Sequence, residues 1–127
     1  MNSIFLANIV GLLSVVAIIA STYPTLLNLF SKNIKHKKLI LKFSQIGLLF
    51  TISLGLIHGL LATQNAGIDF YNLNTYWIYA GGVFLFNLVI FLAFTFPQIK
   101  SDINKLNYFN YALLLLLVCH IGQTIIF

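Results

Sequence analysis

Four apolar stretches dominate this chain, at residues 4–30, 39–62, 76–96 and 106–127, and Lys42 is the only formal charge inside any of them. About 20 apolar residues in a helix cross the ~30 Å hydrocarbon core of a bilayer. Each stretch reaches that length, and Lys42 lies close enough to one end to snorkel to the interface. Backbone groups in lipid must find partners within the chain, which helices provide. No alternation of the kind a barrel strand needs is present. The expected fold is therefore all-α: a single domain, residues 1–127, forming an integral membrane up-down four-helix bundle. Composition agrees, with 60% hydrophobic and 7% charged residues against about 25% charged in soluble domains. That excludes a soluble globular domain, a disordered tail and a nucleic-acid module, which needs a basic face. Residues 1–6 carry no Lys or Arg, and residues 17–20 make a poor cleavage site, so the first stretch reads as a retained helix. Pro24 is expected to kink it or end it early.

The charges orient the spans. Lys32, Lys35, Lys37, Lys38 and Lys42 surround the first connection, and Lys100 and Lys105 lie in or beside the third. The N-terminus, the loop at 64–75 and the C-terminus hold none. The positive-inside rule then puts both termini on the non-cytoplasmic side. Tyr71, Tyr76 and Trp77 suit the outer interface, and Tyr108 and Tyr111 the inner one. The lysines near the first loop suit anionic lipid or an acidic partner, although orientation during insertion accounts for them alone.

Few residues are left to carry chemistry. There are three His, one Cys and two acidic residues, Asp69 and Asp102, both in expected loops. Paired-carboxylate catalysis and nucleotide-binding loops are absent. His36 sits among lysines and reads as part of a solvated loop. His58 and His120 lie inside apolar helices, where an ionisable side chain is costly and points to function. His58 is 16 residues past Lys42 and His120 is 15 past Lys105, or ~24 Å and ~22 Å along parallel helices. Both imidazoles should thus lie at one depth, on diagonal helices, toward the outer face. That placement suits the two axial positions of a haem iron. Interhelical hydrogen bonding, a pigment site and a proton relay are the competing readings. Thr51, Gly55 and Gly59 recur on the second helix and would leave room for a flat ring, or form a packing seam. Gln123, one turn from His120, would bond a propionate, a water or a neighbouring helix. Cys119 points about 100° away from His120 and is expected to be a small buried hydrophobe.

The segments Leu54-Gly55-Leu56-Ile57-His58-Gly59, Asp69-Phe70 with Thr75-Tyr76-Trp77-Ile78-Tyr79, and Leu106-Asn107-Tyr108-Phe109-Asn110-Tyr111 through His120 together resemble the ferric reductase-like transmembrane domain family, in a short membrane cytochrome b-like form. The resemblance runs from about Pro24 to His120. It implies b-type haem held by histidines on two parallel helices. The family carries two such pairs, and this chain keeps the outer one, His58 and His120. The inner positions fall at Lys42 or Phe43 and at Asn107, so one haem b is expected rather than two. The implied role is electron transfer within a membrane oxidoreductase, not a complete reductase alone. No flavin or nicotinamide domain lies in the 127 residues, so electrons are expected from a separate redox protein or a quinol. A homodimer or a larger membrane complex would suit so few helices. The rival expectation is a non-enzymatic membrane subunit or assembly factor, derived from such a cytochrome, that has lost its haem. A transporter is the weakest reading, because no acidic residue falls within a span.

Overall fold

The computed structural model describes residues 3–30, 36–66 and 73–126. Five helices follow in order: α1 Ser3–Ser21, α2 Tyr23–Phe30, α3 Lys37–Ala66, α4 Leu73–Ile99 and α5 Ile103–Ile126. Among the described residues there is no strand. Helices α3, α4 and α5 are each long and apolar enough to cross a membrane, and α1 with α2 qualifies as one span bent by 55°. The chain is a multi-pass membrane protein with three or four crossings. Lys32, Lys35, Asp69, Phe70 and Tyr71, all of which entered the sequence expectations, lie outside the described residues.

The bend between α1 and α2 has a local cause. Pro24 has no N–H, and its ring crowds the carbonyl of residue 20, so an unbroken helix cannot pass through it. The chain turns at Thr22, and the Thr25 N–H donates to the Thr22 carbonyl at 3.0 Å. That leaves the Ser21 carbonyl without its helical donor. The Ser44 hydroxyl on α3 supplies one instead. Freed backbone groups at depth are satisfied in this way because lipid offers no water. Closely packed backbone accompanies the bond: a Cβ on Gly47 would lie 2.9 Å from the Ser21 nitrogen.

At the far end of α4, Pro97 falls within the last turn and the helix runs on to Ile99. A three-residue turn, 100–102, then reverses the chain into α5. Asp102 caps α5: its carboxylate accepts from the Asn104 N–H at 3.1 Å, and its carbonyl accepts from Leu106. His36 takes the corresponding place before α3, with φ 60° and its carbonyl accepting from the Ile40 N–H.

Contacts establish antiparallel pairs. Residues 7 and 11 of α1 meet residue 58 of α3, and residues 17 and 21 meet 47 and 44. On α4 and α5, residues 81 and 82 meet 123 and 120, and Phe91 meets Phe109. Helix α3 also packs on α4, and α2 reaches both α3 and α5. Among the described residues, α3 and α5 make no extended contact with each other, nor do α1 and α5.

Packing differs along the helices. At the α2 end, Thr22, Pro24, Thr25, Leu92, Phe96 and Leu106 are all fully buried. Thr25 there donates to Asn107 Oδ1 at 2.8 Å and accepts from Asn110 Nδ2 at 2.7 Å, latching α2 to α5. The buried stripe of α5 is Leu106, Asn110, Leu113 and Leu117, a helical spacing of three and four. That stripe corrects one expectation. Cys119 lies off it and is exposed on the outside of the assembly, not buried. The Leu run divides in the same way, with Leu113 and Leu117 inside and Leu115 outside.

Candidate functional site

Beyond Leu117 the helices part around a cavity of about 670 Å³. Its walls come from α1, α3, α4 and α5 and include both His58 and His120. The two histidines come from α3 and α5, the helices that do not pack together, so the cavity is what lies between them. The lining is mostly apolar, with Ile18, Leu85, Val89 and Leu117 at its floor. Ligand sites of ~300–1,000 Å³ with an apolar lining and few polar groups are the common form for small molecules and cofactors.

Each histidine is held by a neighbouring helix. His58 Nδ1 lies 2.9 Å from the Ala7 carbonyl on α1. A carbonyl can only accept, so Nδ1 carries the proton and Nε2 keeps its lone pair. His120 packs on α4, where a Cβ at Gly82 would lie 3.1 Å from its Cε1. Its Nδ1 is buried and has no partner at normal hydrogen-bond geometry.

The other sequence candidates divide into two groups. Thr51, Gly55 and Gly59 line the cavity with the two histidines. The Thr51 hydroxyl is turned onto its own helix, donating to the Gly47 carbonyl at 2.7 Å. Gly55 lies against Phe86, whose ring edge would be 3.1 Å from a Cβ there. Gly59 faces open space, with nothing within 4 Å of such a Cβ. Gln123 is not among the lining residues. Its side chain is packed onto Gly81 of α4, with Oε1 buried and unpartnered.

Sequence reasoning missed the α1 and α4 walls. Gly11 and Gly82 meet the imidazole rings, and Asn8, Ser14, Tyr79, Asn87 and Thr124 bring polar groups to the lining. An isolated glycine in an apolar span is a signal of close approach, but it does not say to what.

Among the described residues, no three His, Cys, Asp or Glu side chains gather at one point. A bare structural or catalytic zinc takes at least three protein ligands. No family model matches the chain, and no curated protein or solved structure shows significant similarity to it.

Proposed function

We propose that this protein is a membrane b-type haem protein in which His58 and His120 provide both axial ligands to one haem, and that it transfers electrons. The observation that carries the reading is the shared cavity. Two histidines from helices that do not pack together face one apolar space of about 670 Å³. The donor set supports it further, since His58 has its Nδ1 on a backbone carbonyl and its Nε2 free. Metal-bound histidines are oriented by such a bond from their second nitrogen.

In this reading α1 and α2 form one bent crossing, and the chain is a four-helix up-down bundle. Lys37, Lys38, Lys42, Lys100 and Lys105 lie at the α2 end, which faces the cytoplasm, and both termini lie opposite. Haem bound in the cavity would supply a one-electron iron couple. The protein's residues do the rest. His58 and His120 would both hold the iron, and two protein ligands favour electron transfer over oxygen activation. Ile18, Leu85, Val89 and Leu117 keep water from the floor of the site. Gly59 and Gly55 keep one wall thin.

The ferric reductase-like family carries two haem positions, and this chain keeps the histidines of one. At the α2 end, where the other would lie, Asn107 is engaged by Thr25, and Phe43 packs edge-on against Tyr23, with ring centroids 5.9 Å apart. Electrons would come from a membrane quinol or a separate redox protein, and a homodimer or larger complex would cover part of the apolar exterior.

A reduced-minus-oxidised visible spectrum of the detergent-purified protein tests the proposal. One b-type haem per chain is expected, absent in His58→Ala and in His120→Ala alike, with both variants still folded and membrane-inserted. A colourless folded wild type, purified from cells with ample haem, would favour the haem-free subunit or assembly factor.

A further inference from the structure

His58 stands on a backbone seat built by α1. On α1 the Ala7 carbonyl meets His58 Nδ1 at 2.9 Å. Gly11, one turn on, lies beneath the ring: a Cβ there would be 2.8 Å from Cε1 and 2.9 Å from Nδ1, with Nε2 furthest at 3.5 Å. His120 meets Gly82 of α4 in a different pose: a Cβ there would be 3.1 Å from Cε1, 3.5 Å from Nε2 and 3.7 Å from Nδ1, so Nε2 is the nearer nitrogen. In the α1 seat residue i offers a carbonyl and residue i+4 is glycine.

Helix geometry explains the pairing. The carbonyl of residue i already accepts from the N–H of residue i+4, and it has a second lone pair to give. A side chain at i+4 leans back toward the helix N-terminus, over that carbonyl. Glycine leaves the second lone pair open to an imidazole from the neighbouring helix.

We infer that Gly11 is a positioning residue which, with the Ala7 carbonyl, holds His58 in the Nδ1–H tautomer and leaves its Nε2 to the cavity. The inference deepens the haem reading and rests on it for the purpose of the seat, but not for its existence.

The experiment separates the two. Full-length protein with ¹⁵N-labelled histidine, purified free of haem in detergent, is examined by NMR for the ring tautomer of His58. Haem is then titrated into wild type, Gly11→Ala and Gly122→Ala. Gly122 is the control, since nothing lies within 4 Å of a Cβ there. The expected result is Nδ1–H at His58 in wild type. Gly11→Ala should lose that signature and weaken haem binding by about 10–100-fold, as loss of an orienting contact does, and Gly122→Ala should match wild type. A wild-type Nε2–H tautomer at His58 overturns the inference, and needs no variant to fold. Wild-type tautomer and affinity in Gly11→Ala overturn it as well. Nδ1–H at His58 in a protein that takes up no haem supports the seat and removes the haem.

Discussion

Around Thr25 the helices close until Leu92, Phe96 and Leu106 are almost wholly buried, and around His58 the same helices stand apart by the width of a cavity. The two regions share a chain, a solvent and a vocabulary of Leu, Phe, Gly and Ser. The difference lies in which residue types face inward. At the closed end, small hydroxyls and amides bond across helices, Thr25 with Asn107 and Asn110, and Ser44 with the Ser21 backbone. At the open end, four of the chain's eight glycines line the space: Gly11, Gly55, Gly59 and Gly82. Lipid gives no hydrophobic force between helices, so close packing is itself the main cohesion there. The open end gives that cohesion up over about 670 Å³.

The sharpest way to break the comparison is to fill the open end. Gly59→Phe places a ring where nothing now lies within 4 Å of the Cβ. The variant should fold as well as wild type in a thermal melt yet lose haem uptake altogether. A filled protein that still shows a full b-type spectrum would mean the cavity and the haem are unrelated. Truncation probes the same contrast more gently. Leu113→Ala, at a position with 0% exposure, should cost about 2–5 kcal/mol in detergent unfolding, as buried leucines do. Ile121→Ala, at the cavity rim and 37% exposed, should cost much less in the haem-free protein. Equal losses would show that the open end is packed in solution. The smallest effect belongs to the latch. Thr25→Val leaves Asn107 and Asn110 without their shared partner, at a cost of roughly 0.6–1.7 kcal/mol, the range for interhelical bonds in membranes. Haem content should stay at the wild-type level, measured from the same absorbance band.

Much of this contrast was legible before any coordinates. Apolar length alone located α3, α4 and α5, because a bilayer imposes a fixed span. Counting from Lys42 and Lys105 placed His58 and His120 at one depth, and they do line one cavity. What the residues could not reveal was azimuth. A span that is apolar on every side carries no stripe to say which face is inside. Cys119 was therefore expected inside and lies outside, and Gln123 was set beside the site but turns onto Gly81. Gly11 and Gly82 were visible as glycines, yet only the pairing of α1 with α3 and of α4 with α5 tells which ring each receives. The bend was foreseen from Pro24, whereas its repair by Ser44 depends on a helix 23 positions away in sequence.

That bend reaches further than its own neighbourhood. The bend separates two arms, α2 reaching to both α3 and α5 and α1 packing mainly on α3. Pro24 and Ser44 do not line the cavity, but they belong to the bend that aims the two arms. The footprint of the site on the chain is wider than its lining, and a survey of tolerated substitutions should find both positions as intolerant as the histidines.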